Sequence, residues 1–201
     1  MKVTVIDYGA GNVPSVERAL QRLGAESQRT GSPESISKAE ALLLPGVGHY
    51  AALVRALDEQ NMRAPLVDAI RRGVPFLGIC LGLQVLFESS AESAQLRGLE
   101  LLAGKVCALP SSVKLPHMGW NQIVANRESR LLEGIDSSAY FYFAHSYAAP
   151  VSNGSTIATC VHGAPFAAVV EKQNICGVQF HPEKSGDAGS RLLQNFLRMA
   201  A

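Results

Sequence analysis

The chain has 201 residues, with 18 Lys and Arg against 17 Asp and Glu and a formal net charge of +1. Charged residues make up 17% of it, whereas a soluble domain typically carries roughly a quarter. A balanced chain without a basic run lacks the electrostatic footprint of a nucleic-acid binder, and 47% apolar residues exclude an intrinsically disordered one. The shortage of charge is uneven: no Asp, Glu, Lys or Arg occurs between Asp136 and Glu171.

Every apolar stretch is broken by Gly, Pro or a polar residue before the roughly 18 positions that a membrane span needs. The N-terminus, Met1-Lys2-Val3-Thr4, reads as too short and polar for a signal peptide. Cys80, Cys107, Cys160 and Cys176 form no CxxC pair, so neither a zinc site nor a redox motif is expected. The expectation is a cytoplasmic protein with mostly buried thiols, no metal and no cofactor.

In chain order, Lys2–Ile6 reads as a buried strand that ends in the loop Asp7-Tyr8-Gly9-Ala10-Gly11-Asn12. A helix follows, with Pro14 near its first turn, Val16, Ala19, Leu20 and Leu23 at helical spacing, and Gly24 ending it. Ser32-Pro33-Glu34 opens a short helix with a capping Ser. Ala41–Leu44 is a second continuous apolar run, ended by Pro45-Gly46-Val47-Gly48. Helical stretches are expected over Ala51–Asn61 and Pro65–Arg72. Pro75–Ile79 forms a third apolar strand, and Leu81–Phe87 reads as helical again. Strands follow at Val106–Leu109, Gln122–Val124, Tyr140–Ala144, Thr156–Cys160, Phe166–Val170 and Ile175–Phe180, and a helix over Gly189–Met199 closes the chain. Apolar strands alternating with helices in the first half predict a largely parallel sheet covered on both faces. The expected architecture is a three-layer α/β domain with a mixed sheet, residues 1–201 forming a single domain.

Ligands in open α/β sheets bind beyond the carboxyl ends of the strands. Three glycine-bearing loops fall there. Gly9-Ala10-Gly11 lacks a third glycine, since position 14 is Pro14, and is not a dinucleotide fingerprint. Gly78-Ile79-Cys80-Leu81-Gly82 has the form G-x-C-x-G between a strand and a helix. With Ser in place of Cys, that is a nucleophile elbow. Its glycines would permit the strained turn, and the helix N-terminus would favour a thiolate. Cys80 alone reads equally well as a small buried hydrophobe. A thiolate nucleophile needs a base and an orienting group. His181 and Glu183, in Phe180-His181-Pro182-Glu183-Lys184-Ser185, can supply them, although His181-Pro182 is also an ordinary strand terminus. Pro45-Gly46-Val47-Gly48 and the N–H of Leu81 could hold an oxyanion, or the loop is a simple glycine turn.

Taken together, Pro-Gly-Val-Gly, Gly78–Gln84 and Gln179–Ser185 resemble the class I, or triad, glutamine amidotransferases, in an order and spacing that cover nearly the whole chain. The resemblance implies the three-layer class I fold, with a mixed, mostly parallel sheet flanked by helices and a smaller antiparallel portion. It implies Cys80, His181 and Glu183 as the triad that hydrolyses glutamine through a γ-glutamyl thioester. Gly48 and Leu81 become the oxyanion-hole amides, and Gly46, Gln84, His145, Ser146 and Tyr147 the substrate contacts. Within that family, Ile6–Asn12, Lys114–Asn121 and Tyr142–Tyr147 resemble the glutaminase subunits of imidazole glycerol phosphate synthases. That implies a heterodimer with a (β/α)₈-barrel cyclase subunit, to which ammonia passes in histidine biosynthesis. Asn12, Trp120, Tyr142 and Lys184 match interface or ammonia-route positions. Read without the family, Trp120 and Tyr142 would be core residues and Lys184 a solvated one. His49, Tyr50, Pro14 and Glu100 depart from the family pattern, with Glu100 standing where Gly is common. A paralogue that feeds ammonia to another acceptor and an inactive scaffolding module are the alternatives.

Overall fold

The computed structural model describes residues 2–201. Its first half runs β1 (Lys2–Ile6), α1 (Val13–Arg22), β2 (Glu26–Thr30), α2 (Pro33–Ser37), β3 (Ala41–Gly46), α3 (Tyr50–Glu59), α4 (Arg63–Arg71), β4 (Phe76–Cys80) and α5 (Leu81–Gln84). The second half runs β5 (Phe87–Ser90), β6 (Leu102–Ala108), β7 (His117–Gln122), β8 (Val124–Ala125), β9 (Tyr140–His145), β10 (Tyr147–Ala148), β11 (Thr156–His162), β12 (Ala164–Lys172), β13 (Ile175–Val178) and α6 (Gly186–Ala200).

The main sheet has eight strands in the order β2-β1-β3-β4-β13-β12-β11-β8. From β2 to β13 each neighbouring pair is parallel, and from β13 to β8 each is antiparallel. Alternate residues of the central strands serve two cores. Val3 and Val5 of β1, Leu43 of β3, and Leu77 and Ile79 of β4 pack with Val16 and Leu20 of α1 and with Leu192 and Phe196 of α6. Leu42, Leu44 and Phe76 face the opposite way, against Ile36, Leu53, Leu57 and Leu66 of α2 to α4. This is why these strands read as unbroken apolar runs: both faces of the sheet are covered. Each such side chain contributes roughly 1.5–3 kcal/mol by leaving water. β10-β6-β5 form a second, three-stranded sheet, and β7 pairs with β9 in an antiparallel ribbon.

Four strands lie outside the sequence reading: β2, β5, β10 and all of β7 but Gln122. Glu26–Thr30 has the sequence ESQRT and buries only Thr30 fully. As an edge strand it pairs only with β1 and needs no apolar pattern. The helix expected over Leu81–Phe87 stops at Gln84, and Phe87–Ser90 is a strand paired with β6. The capping Ser32 accepts from Ser35 N as its sequence suggests.

Candidate active site

Parallel pairing places the carboxyl ends of β3, β4 and β13 side by side. Gly46 lies opposite Cys80, and Ile79 opposite Val178. The three motif segments that are far apart in sequence therefore meet at one end of the sheet.

Cys80 sits at that end with φ 55° and ψ −107°, 5% exposed. The strained backbone thus falls on the cysteine itself, and the flanking glycines permit the turn by leaving it room. Gly82 is needed for space: a Cβ there would lie 1.9 Å from the Leu44 carbonyl oxygen. At Gly46 it would lie 2.5 Å from Leu81 Cβ. Helix α5 is a single turn, so it contributes little of the dipole anticipated for a thiolate.

His181 lies in the segment after β13. Its N–H donates to the Tyr142 carbonyl at 2.9 Å, and its carbonyl accepts from Ser185 Oγ at 2.7 Å. Ser185 Oγ in turn accepts from Tyr142 N at 3.0 Å. Strand β9 therefore fixes the backbone that carries the His181 ring. His181 Nδ1 is 3.0 Å from Glu183 Oε1, with the two side chains 3% and 1% exposed. Burial pulls the His181 ring toward neutrality, but hydrogen bonds to Cys80 and Glu183 outweigh it and raise the pKa to about 9. Burial likewise opposes ionisation of Glu183, yet the His181 ring and the Asn12 amide hold it below the usual carboxylate range. Asn12 Nδ2 donates to Glu183 Oε1 at 3.1 Å, so Asn12 supports the carboxylate.

Cys80 and His181 open onto a cavity of about 250 Å³, lined also by Val47, Gly48, Leu81, Gln84, Glu92, His145, Ser146, Tyr147 and Lys184. That is below the roughly 300–1,000 Å³ of sites for drug-sized ligands and suits a molecule of amino-acid size. Gly46 does not line it but lies beneath Leu81. A larger groove of about 860 Å³, bounded by residues 125–133 and Glu171, contains no thiol or imidazole.

A buried chain of hydrogen bonds runs along one wall. The Tyr147 carbonyl can only accept, and it takes His145 Nδ1 at 2.9 Å and Gln84 Nε2 at 2.8 Å. Burial holds His145 down to about 3 and His117 to about 4, so both rings are neutral near pH 7. His145 Nε2 must then accept from His117 Nδ1, 3.0 Å away, and His117 Nε2 from Asn121 Nδ2 at 3.3 Å. Each tautomer is thereby determined by its neighbours.

At the mouth, Trp120 is 55% exposed and stands edge-on to Tyr142, with ring centroids 6.0 Å apart. Lys184 Nζ lies 5.6 Å from the Tyr142 ring centroid. Trp120 is therefore a surface residue, not the core residue its spacing alone would suggest. Four residues escaped the sequence reading. Glu92 reads as an ordinary first-turn acid after the capping Ser90, but it lines the cavity and accepts from Tyr50 N at 2.8 Å. Tyr8 lies in a glycine loop, and its hydroxyl contacts Val47 N at 3.3 Å and Val47 O at 3.5 Å. His117 and Gln179 lie within quoted motifs without a role assigned to them.

Residues 4–200 match the family described as glutamine amidotransferase class-I, and the chain belongs to that family. It is 45% identical over 197 residues to the imidazole glycerol phosphate synthase subunit HisH of Methanothermobacter thermautotrophicus, covering 98% of each chain. It is 46% identical over 195 residues to the HisH subunit of Desulfitobacterium hafniense, covering 96% of this chain and 92% of that one. Among solved structures, PurLQS from Thermotoga maritima superimposes with a TM-score of 0.79 at 20% identity. It covers 100% of this chain and 99% of that one and shows likeness of fold.

Proposed function

We propose that the chain is the glutaminase subunit of an imidazole glycerol phosphate synthase, and that it hydrolyses glutamine to glutamate and ammonia for a (β/α)₈-barrel cyclase subunit. The observation that carries this reading is the convergence of Cys80, His181 and Glu183 on one cavity of amino-acid size. Likeness to the HisH subunits over nearly the whole chain supports the choice of acceptor.

In the proposed reaction, the Cys80 thiolate attacks the side-chain amide carbon of glutamine. The S–C bond forms and the carbonyl electron pair moves onto oxygen, facing the amides of Gly48 and Leu81. Protonated His181 gives its proton to the amide nitrogen, the C–N bond breaks and ammonia leaves a γ-glutamyl thioester. Water then attacks the thioester while His181 accepts its proton. The C–S bond breaks, glutamate leaves and the thiolate is restored. Glu183 fixes the His181 tautomer and stabilises its cationic form. Gln84, Ser146 and Tyr147 shape the wall around the substrate, and Glu92 offers a carboxylate to its α-ammonium group.

Ammonia released into neutral water is mostly protonated and no longer nucleophilic, so it must pass to its acceptor under cover. Trp120, Tyr142 and Lys184 at the mouth would form that cover with the partner. In the assembled pair with glutamine, Cys80→Ala should abolish hydrolysis, and retained hydrolysis would overturn the reading. Complementation of a histidine auxotroph separates this acceptor from a paralogous one.

A further inference from the structure

Gln179 is fully buried and lies two residues before His181. In the bend after β13 both side chains reach Cys80. Phe180 between them turns into the core, its ring centroid 4.1 Å from that of Phe141. Gln179 Nε2 is 3.6 Å from Cys80 Sγ, and Gln179 Oε1 accepts from Gln84 Nε2 at 3.0 Å.

We propose that Gln179 is a catalytic residue of the glutaminase reaction, its side-chain N–H donating to the Cys80 sulfur and stabilising that atom whenever it carries negative charge. The proposal rests on Cys80 being the nucleophile.

The orientation of the Gln179 amide decides whether it can act in this way, and the surrounding bonds determine it. The Tyr147 carbonyl accepts only, so Gln84 must turn its NH₂ group toward it. The same NH₂ group faces Gln179, which must therefore present its oxygen to Gln84. That leaves the Gln179 NH₂ group for Cys80. The chain of donors is anchored at a backbone carbonyl and ends at the nucleophile.

The sulfur carries charge twice in the cycle: before it attacks the amide, and again when water expels it from the thioester. His181 changes protonation between those moments, being a donor in one and a base in the next. A neutral carboxamide keeps its protons throughout, so Gln179 remains a donor after His181 has given its proton to the leaving nitrogen. Because the amide is buried and already oriented, little reorganisation accompanies the appearance of charge. A hydrogen bond to an ionised partner is roughly twice as strong as a neutral one.

The test measures the ionisation of the thiol, independently of glutamine turnover. In the full chain carrying Cys107→Ser, which removes the exposed thiol, the rate of Cys80 alkylation by iodoacetamide is followed against pH by peptide mass. Gln179→Met keeps the bulk and loses the donor, and it should slow alkylation at pH 7 about tenfold and move the midpoint upward. The isosteric Gln179→Glu, which presents only acceptors when ionised, should move it in the same direction. On the unsubstituted protein, the Gln179 side-chain NH₂ resonances should titrate with the same midpoint, and Cys80→Ala should abolish that titration. An unmoved alkylation midpoint in a folded variant, or NH₂ resonances blind to Cys80, would overturn the proposal. Hydrolysis surviving in Cys80→Ala would instead overturn the glutaminase reading, whichever way the alkylation profile falls.

Discussion

Cys80 is held at a positive φ that non-glycine residues rarely adopt, a conformation that costs roughly 1–3 kcal/mol. That strain lifts the sulfur from the sheet toward His181 and the cavity. The loop Gly46–Gly48 opposite, proposed to face the oxyanion, is tied down by Tyr8, whose buried hydroxyl has its pKa pushed up to about 12 and so stays protonated. Tyr8→Phe removes that tie. With one hydrogen bond worth about 1 kcal/mol, glutamine turnover in the assembled pair should fall roughly fivefold with little change in KM. The histidines make opposite pH predictions. His181 is raised to about 9, so its contribution to stability is complete below about pH 6.5 and is lost as pH rises through about 9. His117 and His145 are depressed to about 4 and about 3. Below about pH 6.5 the unfolded chain takes up protons that these two rings refuse, so stability falls as pH drops toward those values. Urea midpoints measured from pH 7 to pH 4 should show that loss, and His117→Gln should reduce it.

The elements legible in the sequence were those whose pattern is imposed by burial. β1, β3 and β4 serve a core on each face and announce themselves as apolar runs, while α1 carries Val16, Ala19 and Leu20 on one face. The edge strand β2 carries no such pattern, because pairing on one side of it constrains its backbone and not its side chains. The elbow is legible as G-x-C-x-G, but not the reason for its glycines, which is the approach of β3 to Gly82 and of the turn's own backbone to Gly78. Gly82→Ala should cost at least about 3 kcal/mol by overpacking against Leu44, read as a lower urea midpoint. Glu100 has φ 55°, a backbone conformation that glycine adopts without strain. The proposed triad is legible as motifs because its members are reactive residue types. Gln179, Glu92 and His117 are not, since their roles depend on which atoms face them across the sheet.

At the scale of the whole molecule, the shortage of charge has two origins. In the charge-free stretch Gly73–Phe87, every residue from Phe76 onward is buried within the chain, and its lack of charge reflects an ordinary core. The stretch from Ser137 to Val170 is different. It contains Tyr140, Phe141, Tyr142, Phe143, Tyr147 and Phe166, six of the thirteen aromatic residues. Phe141 and Phe143 are buried, but Tyr140 is 53% exposed, and Trp120 and Met118 on the paired strand β7 are 55% and 65% exposed. Exposed aromatics on strands poor in charge are the composition of an interface core, and here Trp120 stands against Tyr142, whose ring faces Lys184 of the cavity wall. Trp120→Ala should weaken binding to the barrel subunit proposed as its partner roughly 10–100-fold, measured by titration calorimetry. The melting temperature of the chain alone should change little, because the side chain is largely exposed.

The most direct measurement is covalent labelling of the assembled pair with an electrophilic glutamine analogue, read by peptide mass. Expected is one label per chain, on Cys80, formed in step with the loss of hydrolysis and prevented by excess glutamine. Loss of hydrolysis with Cys80 unmodified, or labelling at Cys107 in its place, would contradict a glutaminase built on Cys80.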